Sequence, residues 1–369
     1  MSVSGGSEVW RSMRLDEILA SIEPLDLDWV ERARERTARL VMPFRALGKL
    51  HEISEKLCGI QQTLELSVRH KALLVMAGDH GVTAEGVSAY PQEVTREMVK
   101  TFLRGGAGIN ALARHVGAEV WVVDMGISAD LDPLSLPGGE RLWVRKVGHG
   151  TANLALGPAM TRSQAEEAIL TGFHLASWLF ENGTDVLGTG DMGIGNTTPS
   201  TAVATVMTGK GPEDLVGPGT GVDHEGIRRK IDAISRGILV NRPDPRDGLD
   251  VLAKIGGFEI GGIAGCILAG AFHRRAVVID GLISTAGALI AKALCPRVTD
   301  YTFAGHRSAE PGHKAMLAHL GLEPILDLGM RLGEGTGAAL AMSIIDGAVR
   351  VFREVLTFEE AGVPGKDSP

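Results

Sequence analysis

Residues 72–79, Ala-Leu-Leu-Val-Met-Ala-Gly-Asp, form a short uninterrupted apolar run that ends in glycine and an acidic residue. A run of this length and composition is typical of a β-strand that is buried on both faces, as in a parallel sheet. The same succession recurs at 119–126, 185–191, 276–281 and 324–329. The repeated pattern therefore predicts a parallel sheet whose strands end in glycine or aspartate.

Stretches with helical character separate these runs, and they lie at 93–115, 163–181, 199–208, 225–240 and 282–294. Strands that alternate with helices predict an α/β fold, in which each helix returns the chain to the next parallel strand. Ligands of such sheets bind beyond the carboxyl ends of the strands. We therefore expect the functional site where the glycine and aspartate residues follow the strands.

Helices are also expected outside the alternating region. Residues 14–62 mix charged and apolar residues in helical order, and Pro24 and Pro43 are expected to divide them into short helices. Another helix is expected to start at Ala338 and to continue through Phe352. Surface loops are expected at 131–141 and 241–250, which are rich in Pro, Gly and Asp.

The overall composition excludes several classes of protein. The chain has 369 residues, of which 44% are apolar and 22% charged, and this is ordinary for a globular enzyme. A net charge of −8, 4% aromatic residues and no long basic run argue against nucleic-acid binding. The apolar stretch 260–272 is too short to cross a bilayer, and it predicts a buried helix instead.

The three cysteines and the first residues of the chain bear on its location. Cys58, Cys266 and Cys295 are too widely scattered to predict a disulfide framework or a zinc site. Residues 1–17 lack the apolar segment of a signal peptide. We therefore expect a cytoplasmic protein that has no membrane partner.

The densest glycine block is Gly-Thr-Gly-Asp-Met-Gly-Ile-Gly-Asn-Thr-Thr-Pro at 188–199, between a predicted strand and a predicted helix. Glycines at this point would let backbone N–H groups reach a phosphate at a helix N-terminus. Gly188, Gly190 and Gly193 also form a G-x-G-x-x-G pattern. The acidic residue that a dinucleotide fold needs further on is absent from a strand end, because the acids at 213–214 lie in a Gly/Pro-rich segment. A phosphate cradle is favoured, and a tight turn without a ligand is the alternative.

Lys230 flanks the apolar stripe of the helix predicted at 225–240. A lysine in this position usually extends its ammonium group into solvent. The alternative is a lysine that is held inward to pair with a phosphate, and the glycine-rich segment 217–221 before the helix keeps that alternative open.

Glu334 lies between Gly333 and Gly335, just before the last predicted helix. The flanking glycines permit an unusual turn, and the helix dipole favours an ionised carboxylate there. Such a carboxylate near a ligand is a candidate general base. Considered alone, the position is more typical of an acid that only starts a helix.

Two further segments offer polar side chains without forming a recognisable catalytic group. His306, Glu310 and His313 have the i, i+4, i+7 spacing of a metal-binding helix face, but Pro311 and Gly312 would break that helix. We therefore expect no metal there, and a loop that binds an anion is more plausible. Adjacent residues such as Asp79 and His80 rarely form a catalytic pair, so that segment predicts a turn after a strand.

Taken together, several blocks resemble the nicotinate-nucleotide–dimethylbenzimidazole phosphoribosyltransferase family. None is specific alone, but in order they cover most of the chain from about 70 to 345. The blocks are AGDHG at 77–81, GVSAYPQEVT at 86–95, GDMGIGNTT at 190–198, GTGVD at 219–223, GFEIGGIAGCILAGA at 257–271, DGLISTAGALIA at 280–291, SAEPGHK at 308–314 and LEPILDLGMRLGEGTGAALAM at 322–342.

The resemblance implies a fold and an activity. It implies a Rossmann-like parallel sheet flanked by helices at 63–330, a smaller helical domain made of 1–62 and 331–369, and a homodimer. The implied activity transfers the phosphoribosyl group of nicotinate mononucleotide to 5,6-dimethylbenzimidazole or a related base. The products are nicotinate and α-ribazole 5′-phosphate, in the assembly of the cobalamin nucleotide loop, and no cofactor or metal is required.

The resemblance also assigns roles to residues. Glu334 matches the catalytic base, with Asp191 as a supporting carboxylate. A well-known family member has glutamate where this chain has Asp191, so the carboxylate here reaches less far. The phosphate is expected at Gly193, Ile194, Gly195, Asn196, Lys230, Gly281 and Ser308, and the acceptor base at Ser88, Gln92, Met192 and Leu332.

Two other functions remain open from the sequence. The G-x-G-x-x-G pattern supports a dinucleotide-dependent oxidoreductase, which would change the fluorescence of added NADH. A carrier that binds the nucleotide or the base without turnover would need the same phosphate pocket.

Overall fold

The structure, a computed structural model, describes residues 9–364 and contains a seven-stranded sheet with helices on both faces. The strands are β1 (Lys71–Gly78), β2 (Ala118–Gly126), β3 (Leu142–Val144), β4 (Val186–Met192), β5 (Ala276–Ile279), β6 (Thr302–His306) and β7 (Pro324–Leu326). The helices are α1 (Leu15–Ser21), α2 (Leu27–Thr37), α3 (Lys49–Gln61), α4 (Glu93–Leu103), α5 (Gly108–Val116), α6 (Arg162–Glu181), α7 (Thr197–Thr208), α8 (Pro212–Leu215), α9 (His224–Asn241), α10 (Gly248–Ile255), α11 (Phe258–Phe272), α12 (Leu282–Leu294), α13 (Pro311–Leu320) and α14 (Thr336–Glu354).

All neighbouring strands are parallel, and their order is β3-β2-β1-β4-β5-β6-β7. The chain therefore builds outward from β1 in one direction and then returns to build from β4 in the other. The boundary between β1 and β4 is the switch point at which open α/β sheets bind their ligands. The predicted parallel α/β fold is confirmed.

The central strands are buried because helices cover both faces of the sheet. All eight residues of β1 are buried, and so are all those of β5 and β6. The apolar stretch predicted as a buried helix is α11, which packs between α6 and α12. No helix within residues 9–364 is long and apolar enough to cross a membrane.

Some helices and strands differ from those predicted from the sequence. The helix predicted at 93–115 is two helices, because the chain turns at Gly105, which has a φ of +77°, and Gly106. Strands β3 and β6 were not predicted, since neither forms a separate apolar run that ends in glycine or aspartate. The loop predicted at 241–250 is shorter than expected, because α10 begins within it.

The terminal helices meet on one side of the sheet. Helix α2 packs against α3, α3 packs against α14, and α14 in turn lies against β4, β5 and β6. The breaks predicted at Pro24 and Pro43 are confirmed, since both prolines lie between helices. Helix α14 therefore carries its N-terminus to the carboxyl ends of the central strands.

Candidate functional site

A cavity of about 470 Å³ opens at the carboxyl ends of β4, β5 and β6. It lies beyond the carboxyl ends of the strands, where α/β sheets bind their ligands, and residues of α4, which follows β1, also line it. Nine of the thirteen residues predicted for the site line it. They are Asp191, Met192, Gly193, Ile194, Asn196, Gly281, Ser308, Leu332 and Glu334.

The other four predicted residues lie outside the cavity wall to different degrees. The buried Lys230 stands directly behind it, where its Nζ donates to Thr197 Oγ1 at 2.9 Å and to the Gly217 carbonyl at 3.0 Å. Gly195 belongs to the loop before α7, with a φ of +86°. Of the two orientations that the sequence left open for Lys230, the structure shows the inward one and not the extension into solvent.

The two predicted polar contacts to the acceptor base are displaced from the cavity. The Ser88 hydroxyl lies 3.4 Å from the hydroxyl of Thr220, which does line the cavity. Gln92 turns away, and its amide donates to Ser128 Oγ at 3.1 Å beyond the end of β2. Ser88 is thus at the rim, and Gln92 does not contribute to the wall in this conformation.

Glu334 occupies a left-handed turn that leads directly into α14. Its φ is +63°, and Gly333 and Gly335 have φ values of +86° and +95°. Asp280 holds this turn from below, since its carboxylate accepts from the Gly335 amide at 3.0 Å and the Gly337 amide at 2.7 Å. Glu334 precedes α14 as predicted, but the carboxylate that accepts from the first amides of this helix is that of Asp280. The interpretation of Glu334 as an acid that only starts the helix is therefore wrong.

The Glu334 carboxylate instead faces the N-terminus of α5. Its Oε2 accepts a hydrogen bond of 2.9 Å from the Ile109 amide, and the Gly108 amide is also a donor to this carboxylate. These amides belong to the first turn of α5, where backbone donors lack partners within the helix. One carboxylate oxygen is thereby fixed, which leaves the other to act on a ligand.

The backbone of this turn lies directly on strand β4. A Cβ on Gly190 would overlap the carbonyl group of Glu334, and a Cβ on Gly188 would lie 2.9 Å from Met342 of α14. Both glycines are inside β4, so they do not belong to the loop that precedes α7. The G-x-G-x-x-G pattern consequently has packing roles at its first two positions.

Burial raises the pKa of Glu334 above its usual value of 4.5, and the nearby Asp280 adds to this effect. The hydrogen bonds from Ile109 and Gly108 lower the pKa and partly offset the increase. A carboxylate with a raised pKa is a stronger base, and it is better matched to proton transfer near neutral pH.

Asp191 is buried beside this turn at the end of β4. Its Oδ2 accepts from Asn196 Nδ2 at 2.9 Å, whereas its Oδ1 has no hydrogen-bond partner among the described residues. Burial first, and then the charges of Asp280, Glu259 and Glu334, raise the pKa of Asp191 to about 8. Asp191 is therefore protonated at neutral pH and can donate a hydrogen bond.

The glycine loop at 193–195 leads into α7, whose N-cap residue is Asn196. The Ile194 amide is already used, since it donates to Thr95 Oγ1 at 3.1 Å. The turn is tight because a Cβ on Gly193 would overlap the Gly78 carbonyl. The N-terminus of α7 nevertheless faces the cavity, as an anion site requires.

A second helix N-terminus reaches the cavity from the neighbouring strand. Gly281 follows β5 as the N-cap residue of α12, and Ser308 follows β6. Glu310 is the N-cap residue of α13, and its Oε1 accepts from the Gly219 amide at 3.1 Å. His306 and His313 make separate contacts, and residues 9–364 contain no cluster of three potential metal ligands.

Other residues of the cavity escaped the sequence analysis. Val94 and Met98 of α4 form an apolar wall, and Tyr90, Thr220 and Arg331 border it. The i, i+4 spacing of Val94 and Met98 marks one face of a helix, but that spacing cannot distinguish a ligand wall from ordinary core.

A buried pair below the glycine loop was also missed. His80 Nε2 lies 2.9 Å from Glu259 Oε1, and both side chains are fully enclosed. The partner of His80 is therefore a residue of α11, which agrees with the prediction that Asp79 and His80 do not form a pair. Sequence alone gave no signal for Glu259, because it begins an otherwise apolar helix.

The chain matches the phosphoribosyltransferase family over residues 22–363. It is 51% identical, over 349 residues, to the nicotinate-nucleotide–dimethylbenzimidazole phosphoribosyltransferase of Geotalea uraniireducens, a match that covers 95% of this chain and 98% of that protein. The enzyme of the same name from Roseiflexus is 51% identical over 352 residues, with 95% and 98% covered. The crystal structure of the enzyme of that name from Thermus thermophilus has a TM-score of 0.86 and 46% identity, and the match covers 92% of this chain and all of that one.

Proposed function

The chain belongs to the nicotinate-nucleotide–dimethylbenzimidazole phosphoribosyltransferase family, and from this we propose how the residues of its cavity carry out the reaction. The protein transfers the phosphoribosyl group of nicotinate mononucleotide to 5,6-dimethylbenzimidazole or a related base. The products are nicotinate and α-ribazole 5′-phosphate, which enters the nucleotide loop of cobalamin.

The chemistry requires one proton to move and one bond to be exchanged. The ring nitrogen of nicotinate mononucleotide is cationic, so nicotinate leaves C1′ with the bonding electron pair. One nitrogen of the benzimidazole attacks C1′ from the opposite face, and this inverts the anomeric centre to give the α-riboside. The other nitrogen loses its proton to a general base, and no redox step is involved.

Glu334 is the base in this proposal. Its carboxylate lines the cavity, one oxygen is fixed by the Ile109 amide, and burial raises its pKa. A base that is held in one orientation and has a raised pKa suits removal of a proton from a bound heterocycle. Asp191 lies beside Glu334, and because it is protonated it adds no second negative charge to the site.

The phosphate group lies at the other side of the cavity in this proposal. The N-termini of α7 and α12 provide backbone donors, from Gly193 and Gly195 in one case and from Gly281 in the other. Ser308 contributes a hydroxyl, and Lys230 contributes positive charge from behind Thr197. The Ile194 and Asn196 amides do not contribute, because they already donate to Thr95 Oγ1 and to the Gly193 carbonyl.

The acceptor base lies against the apolar wall. Met192 and Leu332 border that wall together with Val94 and Met98 of α4. Ser88 can reach the base from the rim through the Thr220 hydroxyl, whereas Gln92 must leave Ser128 before it can do so.

The assignment of the base depends on the orientation of the Glu334 carboxylate, so the first experiment replaces Glu334. Purified wild type and Glu334→Gln are incubated with nicotinate mononucleotide and 5,6-dimethylbenzimidazole, and nicotinate and α-ribazole 5′-phosphate are measured by chromatography and mass spectrometry. We expect turnover of the variant to be about 10²–10⁴-fold slower, the usual contribution of a general base. The matched control is Glu354→Gln at the exposed end of α14, which should retain full activity.

Two results would contradict the proposal in different ways. Full activity of Glu334→Gln would leave the reaction in place but remove Glu334 as its base. The absence of product with the wild type and a panel of related bases would instead favour a carrier. The oxidoreductase alternative has lost its structural support, because Gly188 and Gly190 are strand residues and the acids at 213–214 lie in α8.

Three further proposals concern the whole molecule. We propose a homodimer, which gel filtration with light scattering would detect, and a cytoplasmic location, which agrees with three buried unpaired cysteines. We also propose the division into 63–330 and a helical domain of 1–62 with 331–369. The packing of α3 on α14 supports that division, and limited proteolysis would test it.

A further inference from the structure

His313 lies behind the proposed phosphate site and does not line the cavity. It is completely buried in the first turns of α13, and its ring connects two cavity residues that come from different strands. The Ser308 amide lies 2.8 Å from Nδ1, and Thr285 Oγ1 lies 2.8 Å from Nε2. Thr285 Oγ1 is in turn 2.8 Å from the Gly281 carbonyl.

Only one arrangement of protons satisfies these contacts. The Ser308 amide can only donate, so Nδ1 accepts. The Gly281 carbonyl can only accept, so the Thr285 hydroxyl donates to it, and Thr285 Oγ1 accepts from Nε2–H. His313 is therefore neutral, with its proton on Nε2.

The electrostatic surroundings of the ring agree with this state. Burial, and then the neighbouring His306, lower the pKa of His313 to about 3. The titratable groups around the ring are His306, whose ring centroid is 6.1 Å away and whose Nε2 lies 3.3 Å from Asp280 Oδ1, and Glu310 at the start of α13. A neutral ring avoids an additional buried charge.

We infer that His313 is a positioning residue that fixes Ser308 and Gly281 at the separation needed to bind one phosphate group. The inference rests on the proposed function, since that function places the phosphate between these two residues. The chain of hydrogen bonds runs from the loop after β6 to the N-terminus of α12, so movement of either element breaks it. Because the ring itself is enclosed, His313 acts only through Ser308 and Gly281.

The test compares a ligand that has the phosphate with one that lacks it. Binding of nicotinate mononucleotide and of nicotinate riboside is measured by calorimetry for wild type, His313→Leu and Thr285→Val. Thr285→Val is nearly isosteric and replaces the hydroxyl with a methyl group, so it breaks the same chain of hydrogen bonds if His313→Leu does not fold. We expect the preference for the nucleotide over the riboside to fall about tenfold in each variant, while the riboside binds unchanged.

Met316→Ala is the matched control for a merely structural effect. Met316 is completely buried in the same helix but has no part in the hydrogen-bond chain. Its replacement should lower the melting temperature and leave the ratio of the two affinities unaltered.

The outcomes separate the inference from the proposed function. An unchanged ratio in folded Thr285→Val, or an equal fall in Met316→Ala, would overturn the role of His313 and leave the phosphate site intact. A wild-type protein that binds the riboside as tightly as the nucleotide would overturn both. His313→Asn retains an acceptor near the position of Nδ1, so it should recover part of the preference that His313→Leu loses.

Discussion

The side chain of Glu334 and the amide of Ile109 are 225 residues apart in the chain and are joined by a hydrogen bond of 2.9 Å. The proposed base is therefore oriented by the first turn of a helix that precedes it by more than half the sequence. The backbone of Glu334 has a positive φ, and this conformation directs its side chain away from α14 and toward α5. The position of α5 thus becomes a determinant of activity.

Gly108→Ala tests this relationship. An added Cβ would lie 2.9 Å from Leu332 Cδ2 and 3.2 Å from Glu334 Oε2, so the carboxylate must move. We expect turnover to fall about tenfold or more, because misplacement of a reacting group by about 1 Å can cost 10²-fold.

Gly347→Ala is the matched control for that prediction. Gly347 is also in a helix, α14, and a Cβ there would have no neighbour within 4 Å. It should gain stability and retain activity. Equal activity of both variants would show that α5 does not orient the base.

The pH profile of turnover should show the raised pKa of Glu334. The base must be ionised, so kcat/KM falls as the pH drops through its pKa. Because burial raises that pKa, the midpoint of the acid limb should lie above the usual 4.5. The measurement is kcat/KM as a function of pH at saturating second substrate, and a limb at or below 4.5 would contradict the assignment.

Asp191→Asn should change how stability depends on pH. The unfolded chain releases the Asp191 proton near pH 3.8, whereas the folded protein keeps it up to about pH 8. The folded state binds more protons between these values, so wild-type stability falls as the pH rises through this window. Asparagine is neutral throughout and escapes that loss.

Melting temperatures of both proteins measure the effect. The difference between variant and wild type should increase in favour of the variant from about pH 5 to about pH 8. A difference that is constant with pH would mean that Asp191 is ionised across this range in the folded protein.

Nucleotide binding should become weaker at high pH, because Lys230 then loses its proton. Burial lowers its pKa to about 8, with Glu310 opposing the change, and the protonated form is the one that attracts a phosphate. The KM for nicotinate mononucleotide should therefore rise as the pH exceeds 8. In Lys230→Met the KM should be higher at every pH and lack this rise, and a variant with the wild-type profile would exclude Lys230 from the phosphate site.

The sequence predicted what depends on local pattern. The apolar runs identified five strands, and the succession of strand and helix predicted parallel pairing, because both features are short-range and repetitive. The glycine block before α7 and the turn at Glu334 were recognisable for the same reason. Strand β6 was missed, since Thr302–His306 is buried by its neighbours in the sheet without an apolar run of its own.

The contacts that orient the site could not be obtained in this way. Asp280 and Ile109 reach the turn of Glu334 only because the sheet order brings β5 and α5 to the same edge. The inward position of Lys230 likewise depends on α7 and the segment before α9, which supply its hydrogen-bond acceptors. Each of these contacts joins residues distant in sequence, for which a single chain contains no periodic signal.

The strand order also has a consequence for how the enzyme is made. The first part of the chain provides β1, β2, β3 and the amides of α5, whereas the glycine loop, Gly281, Ser308 and Glu334 all belong to the later part. A ribosome-bound chain can supply all seven strands, the last of which ends at Leu326, and still lack its base, because Glu334 and α14 follow them. The complete catalytic site is therefore available only after the last helix of the chain has been synthesised and packed on the sheet.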